Sequence, residues 1–521
     1  MKGNFRQSMA WLHTWSGLVV GWLLFMIFLS GTATYFRQEI SQWMRPELNV
    51  PVVSAEAALD SATRYLNTHA ADATRWFIRL PDPRNPAEMF AFWEHPDGSF
   101  GDALIHPQTG DALTARDTRG GEFFYRLHFD LHYMPAIPAR LIVGLCAMIM
   151  LIALISGIIT HKKIFKEFFT FRPGKGPRSW LDAHNALAVL SLPYHLVITY
   201  TGLLTLMFLY LPFNPQPLYP EAGRTFFNKA VGHLPAPEAT GEPAALADFA
   251  PMLAAASARW DGAAAGIVTV HHPGDRAARV DIQRLDSSRI AFNPQVAVFN
   301  GVTGEFVRAA GNPSAAATTF GVLYGLHIAR FAEPALRLLL CLAGLAGTAM
   351  IGTGLVLWVV KRQPKQAGQR QPFGVRLVTA LNRAVVIGLP TAMVSYFWAN
   401  RLLPVGMAQR AEWEIHLFFI VWTLGLLFAW LRPGLRGWLA QLWLTAALCA
   451  LLPLVNALTT ARSLPSTLMQ GDSVFVWFDV AMLAISALLA MTARYLQRRA
   501  RQARRSPAQR ARHAASLESI S

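Results

Sequence analysis

Cysteine is scarce in this 521-residue chain. Cys146, Cys341 and Cys449 are the only three, all in apolar stretches and far from one another. That excludes a cysteine-ligated iron–sulfur cluster, a C-x-x-C-H haem attachment, a zinc cluster and a disulfide framework. Charge is scarce as well, at 15% of residues against 53% hydrophobic, a balance too apolar for an ordinary soluble protein. Acidic residues are nearly missing from the centres of the apolar runs, with Asp479 the main exception. This counts against a transporter, whose pathways use intramembrane acids and broken helices. A dinucleotide fingerprint is lacking too: "AGLAGTAMIGTG" (343–354) is glycine-rich but lies inside an apolar run, not between a strand and a helix. No convincing cleavage site follows the first apolar run, which reads as a retained helix.

What is present is a set of eight apolar runs, near residues 10–36, 138–160, 181–211, 335–360, 383–400, 413–431, 437–457 and 473–493. About 20 apolar residues cross a bilayer as a helix. The fold class expected is therefore an α-helical polytopic membrane protein. The net charge of +16 is concentrated in "HKKIFKEFFTFRPGKGPR", "KRQPKQAGQRQPFGVR" and "RYLQRRARQARRSPAQRAR", after the second, fourth and eighth runs. With alternating helices all three fall on one side, with Lys2 and Arg6. That is a topology signal for a cytoplasmic face, with both termini cytoplasmic, and not a nucleic-acid surface. The chain then divides into helix 1 (1–36), a first outer segment (37–137), helices 2 and 3 (138–211), a second outer segment (212–330), helix 4 (331–362), four further helices (381–495) and a basic tail (496–521).

Each outer segment reads as a small α+β domain. A helical opening ("SAEAALDSATRYLNTH"; "ALADFAPMLAAASARW") precedes short alternating strands ("RWFIRL", "MFAFWE", "DALIHPQTGDAL"; "AGIVTVHH", "ARVDIQR", "VAVFNGVTGEFV"). "TG" at 109–110 and at 303–304 marks a turn in both. Aligning His13 with His184 places "SG" (30–31) on "TG" (201–202), and "YRLHFD" (125–130) matches "YGLHIA" (324–329). The first 360 residues are thus two copies of helix, outer segment, helix, running in the same direction, with a pseudo-twofold axis along the membrane normal.

Ionisable groups in membrane helices point to function. His13, His184 and His161 fall at the cytoplasmic level. His195 lies deeper, and His128, His132 and His327 lie near the outer face. On a straight third helix His184 and His195 are eleven residues apart, hence about 20° apart around the axis and about 16 Å along it. One helix face then offers imidazole at two levels, as two stacked b-type haems require, with imidazole as the axial ligand. Singly, each has a plainer reading: His161 as an interfacial side chain, His132 as a surface residue, His195 as a partner of Tyr194 or Thr199, His128 and His327 as helix caps, His13 as a snorkelling ring. Together, matched in pairs by the repeat, they point to haem. Two pairing schemes stand open. One takes two of His13, His161 and His184 for the inner haem, and His195 with His327 or His128 for the outer. The other follows the repeat: His13 with His184, His128 with His327.

"LHTWSGLVVGW", "LHFD", "SGIITHKKIFKEFFTFRP", "WLDAHN", "LPYHLVITYTGL" and "LHIARF", in that order, resemble the PepSY-associated transmembrane helix proteins, iron-regulated inner-membrane proteins of Gram-negative bacteria. The resemblance covers the first 360 residues and implies PepSY-like periplasmic domains. Some members are haem-containing reductases that release iron from ferric siderophores. The resemblance implies that role here: two b haems, and a ferric siderophore or similar chelate as substrate. The electron donor is absent from the chain and is expected to be a membrane quinol or a separate reductase. Trp76, Phe77, Phe92, Trp93 and Trp260 read first as core aromatics and second as a chelate site. The rival readings are a PepSY-domain regulator that binds an envelope partner and an iron or siderophore transporter. The four extra helices fall outside the resemblance.

Overall fold

The computed structural model describes residues 4–82, 84–86, 89–161, 170–210, 235–311, 314–362 and 371–518, the last sixteen of these as backbone only. Parts of the first two basic loops (162–169 and 363–370), the side chains of much of the basic tail, and His233 therefore lie outside the described residues.

Helix α1 (Phe5–Ala33) opens on a capping box, in which Asn4 and Gln7 satisfy each other's backbone donors. It runs through a short 3₁₀ turn into α2 (Arg37–Trp43). Helices α5 (Ala136–Thr160), α6 (Pro177–Leu190), α7 (Leu192–Thr205) and α10 (Pro334–Val360) complete a bundle in which α1 contacts α5 and α10, α6 contacts α10, and α7 contacts α5. Four more spans follow: α11 (Phe373–Arg383) continued by α12 (Leu389–Leu402), α13 (Arg410–Leu431), α14 (Leu435–Thr459) and α15 (Ser473–Glu518). Among the described residues seven helices are long and apolar enough to cross a membrane, or eight if α6 and α7 count as one span. The chain is a multi-pass membrane protein.

The third span is not straight. α6 and α7 meet at 68°. Ser191 leaves helical geometry, and Pro193 stands at the start of α7, where a proline is tolerated because its missing N–H has no helical partner there. The expectation that His184 and His195 share one face of a continuous helix 181–211 therefore fails. The span joining α11 to α12 is also irregular, with a π turn at Ala384–Gly388. The Ala384 carbonyl accepts from Trp422 Nε1 at 2.8 Å.

The strands of the two outer segments join into one sheet. β1 (Arg75–Arg79), β2 (Phe90–Glu94) and β3 (Phe100–Leu104) come from the first, and β4 (Ala265–His271), β5 (Arg279–Arg284), β6 (Val296–Asn300) and β7 (Phe306–Ala310) from the second. Their order is β3-β2-β1-β4-β5-β6-β7, antiparallel throughout, with the seam at β1–β4, where Phe77 faces Thr269. Alternate residues of β1 and β4 point inward, as the period of a half-buried strand requires. Helices α3 (Ala55–His69) and α8 (Phe249–Ala258) cover that face, and Leu59, Trp76, Met252, Val268 and Phe299 share one core. Trp93 and Trp260 belong to the same core. The "TG" turns hold Gly110 at φ +83° and Gly304 at φ +76°, which side chains rarely adopt. Two short helices, α4 (Glu122–Asp130) and α9 (Ala315–Ile328), return each segment to the bundle.

Candidate functional site

The bundle holds two levels of paired histidine. At the end away from the sheet, His13 of α1 faces His184 of α6 with ring centres 6.1 Å apart. At the sheet end, His128 of α4 faces His327 of α9, again at 6.1 Å. Each pair takes one ring from each copy of the repeat. Fourteen residues of α1 separate His13 from Ile27, which touches His128, so the levels are about 21 Å apart along that helix.

Every one of the four rings is oriented through Nδ1. His13 donates to the Ala153 carbonyl and His184 to the Met350 carbonyl, both at 2.8 Å. His128 donates to the Ile27 carbonyl at 2.7 Å. His327 Nδ1 lies 3.1 Å from Thr201 Oγ1. A carbonyl can only accept, so in His13, His184 and His128 it holds the proton on Nδ1 and leaves Nε2 with a bare lone pair. A metal-bound histidine is usually oriented in this way, by a carbonyl on its other ring nitrogen.

Each ring also stands on a glycine. A Cβ at Gly157 would lie 3.1 Å from His13, and one at Gly354 3.1 Å from His184. At Gly31 it would lie 2.6 Å from His128, and at Gly202 2.9 Å from His327. These are the glycines of "SG" or "TG" pairs at 30–31, 156–157, 201–202 and 353–354, one each on α1, α5, α7 and α10.

A separation of 6.1 Å has a chemical meaning. When two imidazoles flank one metal with each nitrogen about 2 Å from it and each ring centre about 1 Å further back, the ring centres stand about 6 Å apart. Among the described residues no three His, Cys, Asp or Glu side chains converge as a metal site. A lone pair of imidazoles cannot complete a tetrahedral zinc site, but it suffices for haem, where the porphyrin supplies the other four nitrogens. The four residues fit that group.

His195 and His161 join neither pair. His195 is fully buried, edge-on to Phe28 at 6.2 Å, on the side of α7 nearest Gly347 of α10. His161 ends α5 and its Nε2 lies 2.7 Å from Asn185 Nδ2, beside the inner pair but not in it. The scheme that used them as ligands is not the one the fold assembles. His132 packs on Phe419 and Tyr133 near the sheet-end surface.

The outer pair opens into a cavity of about 530 Å³ that reaches the ends of β1 and β5. Tyr35, Tyr125, Tyr194, Tyr210 and Tyr324 line it, with Tyr35 and Tyr194 hydroxyls 3.0 Å apart. Six arginines line it as well. Four are paired: Arg84 with Glu39, Arg37 with Glu122, Arg140 with Asp130 and Arg330 with Asp286. Arg79 and Arg284 have no carboxylate partner among the described residues. Tyr194 apart, nothing in the sequence marks these tyrosines and arginines, because they are scattered over α2, β1, α4, α5, β5, α9 and the turns and loops between elements, with no common spacing. The aromatics Trp76, Trp93 and Trp260 do not line the cavity.

The PepSY-associated TM region family matches residues 10–361, more than half of the chain and both copies of the repeat. The uncharacterized protein PA4219 of Pseudomonas aeruginosa is 26% identical over 311 residues, covering 57% of this chain and 77% of that protein. The family match reaches every histidine of both pairs and both helices that bend between them, and stops where α10 ends. The chain belongs to the PepSY-associated transmembrane family.

Proposed function

We propose that this protein is a b-type cytochrome with two haems that carries electrons across a bacterial inner membrane to a ferric chelate, such as a ferric siderophore, on the periplasmic side. The observation that carries the reading is the pair of histidine pairs: equal 6.1 Å separations, with Nδ1 of His13, His184 and His128 tied to carbonyls and that of His327 beside Thr201 Oγ1. Orientation follows from the basic loops, which place the His13–His184 level toward the cytoplasm and the sheet in the periplasm.

His13 and His184 would hold one haem, His128 and His327 the other. Bound there, haem supplies reversible one-electron iron chemistry. The chain's own part is orientation and exclusion. The Ala153, Met350 and Ile27 carbonyls fix tautomer and ring plane of His13, His184 and His128, and Thr201 orients His327. Apolar side chains such as Leu24, Phe25, Met150 and Ile351, all buried, keep water from the space between the levels. At the outer level Arg79 and Arg284 offer guanidinium donors to carboxylates, whether haem propionates or those of a chelate. The substrate iron leaves its chelate on reduction because hard oxygen donors hold Fe(III) better than the softer Fe(II). The donor is a quinol or a separate reductase.

The test is the optical spectrum of detergent-purified protein, oxidised and dithionite-reduced, with haem counted per chain. A b-type spectrum with two haems per chain, and reoxidation by a ferric siderophore, is the expected result. Folded, colourless protein from haem-replete cells would sink the proposal.

A further inference from the structure

The four C-terminal spans lie beyond the family match, and the electron-transfer reading gives them no task. Their sheet-end termini carry buried charge. Arg410 and Glu414, one turn apart at the start of α13, form an ion pair with neither side chain exposed. Such a pair is weak evidence for stability, because desolvation offsets the attraction; specifying one arrangement is its best-attested use.

What the pair holds is a segment of the first copy. Thr118 Oγ1 donates to Glu414, and Arg410 donates to the Asp117 carbonyl at 2.9 Å. The Tyr396 hydroxyl donates to the Gly120 carbonyl at 3.1 Å, and Arg116 donates to the Asn400 carbonyl at 2.6 Å. Residues 116–120 are thus strapped to α12 and α13. Helix α4 starts two residues later. Its Phe123 packs on Tyr396 at 4.9 Å and on Phe418 at 5.0 Å, and its Phe124 packs on Phe397 at 5.8 Å. One turn further on stands His128.

The matching helix of the second copy is held by its own segment. Phe292 N–H donates to the Gly321 carbonyl at 2.9 Å, and Asn293 Nδ2 to the Ala317 carbonyl at 3.1 Å. A Cβ at Gly325 would strike the Ile290 carbonyl, and one at Gly321 the Asn293 side chain. Counting back from His128 as from His327 puts Glu122 and Arg126 at those two positions. Helix α4 therefore has no room for a loop seated in this way and is held jointly: α2 and the residues after it grip it through Arg37–Glu122, the Gly121 N–H donated to Ser41 Oγ and Arg45 on the Thr118 carbonyl, and the C-terminal helices through residues 116–120, Phe123 and Phe124.

We infer that the C-terminal helices are a positioning element for the outer histidine pair, and that Glu414, through its grip on residues 116–120, sets where α4 presents His128. The inference rests on the haem reading above. The test is low-temperature electron paramagnetic resonance of the oxidised full chain. His128→Ala and His13→Ala assign the two low-spin signals. Glu414→Gln removes the charge that holds the strap. Tyr396→Phe removes one hydrogen bond with the ring packing intact, and decides the matter if the first variant does not fold. In whichever variant folds, the expected result is a shifted or partly high-spin signal for the haem of His128, with the His13 signal at its wild-type position and intensity. Both signals unchanged, or both altered together, would overturn the inference. Wild-type protein with no low-spin signal overturns the haem reading itself, and is told apart because it needs no variant.

Discussion

Gly31→Ala tests the outer pair most sharply. The added Cβ would lie 2.6 Å from both Cε1 and Nδ1 of His128, closer than a methyl can sit to a ring. Either the imidazole turns away, breaking its hydrogen bond to the Ile27 carbonyl, or α4 is pushed off α1. Overpacking of this kind costs about 1–3 kcal/mol. Charged to the binding of a group that needs the ring in place, that is about 5- to 150-fold in affinity, since each 1.4 kcal/mol is tenfold. Gly17 on the same helix is the control. Nothing lies within 4 Å of a Cβ there, and alanine is the better helix former by up to about 1 kcal/mol. Gly157→Ala and Gly354→Ala, with contacts of 3.1 Å, ask their rings to give by only a few tenths of an ångström and form the intermediate case. The assay is haem per purified chain with the reduced spectrum. Gly31→Ala is expected to keep the inner haem and lose much of the outer one, Gly17→Ala to match wild type, and the other two to keep both haems with displaced bands. Wild-type haem content and spectrum in Gly31→Ala, or equal damage from Gly17→Ala, would refute the reasoning.

Replacing His13 or His184 by alanine should remove one spectral component and replacing His128 or His327 the other, whereas His161→Ala and His195→Phe should retain both; haem counting decides. Loss of a haem in His195→Phe would mean that the pairing read from the fold is not the one that binds. Burial works against the Asp130 carboxylate at the end of α4, but Arg140 and Arg126 outweigh it and hold its pKa below the usual value. A depressed pKa stabilises fully above the unfolded value of about 3.9 and less as pH falls through the folded one. Wild type and Asp130→Asn should therefore differ in Tm at pH 7 and converge on acidification past the carboxylate range. Arg79→Ala with Arg284→Ala should raise KM for an anionic ferric chelate more than for a neutral one, with steady-state reduction rates as the readout.

Most of the scaffold is legible from residue pattern alone. Most apolar runs become spans with ends displaced by a few residues, though the run at 383–400 becomes a span that begins at Phe373 and the last helix continues well past 493, and "RWFIRL" and "AGIVTVHH" become β1 and β4 because alternation has a short period that local chemistry determines. The bend at Ser191 is legible as well, once Pro193 is weighed above the apolar run that surrounds it. The joining of two outer segments through β1–β4 is not. Edge strands carry no mark of which partner will satisfy their backbone, and Trp76 and Met252 must meet across about 180 residues of chain before the shared core exists. Nor is the strap at 116–120 legible. Arg116 and Thr118 read as solvated loop residues until Asn400 and Glu414 are brought beside them.

The pairing of histidines was open in the sequence for a reason that the fold makes plain. Depth along a helix can be counted in residues, and it placed His13, His161 and His184 at one level. Facing cannot be counted once a helix bends or a ring hangs from a separate short helix. What decides facing is the repeat. Two like copies related by an axis along the bundle bring corresponding residues to opposite sides of that axis, so a histidine near it meets its own counterpart. His13 meets His184 and His128 meets His327 on that rule. Each is backed by a glycine that also has its counterpart, Gly157 with Gly354 and Gly31 with Gly202. His195 breaks the rule: aligning His13 with His184 puts Leu24 opposite it, so it has no imidazole to meet. A singleton in a repeated frame is thus the residue least suited to a paired role, and the sequence itself carries that criterion.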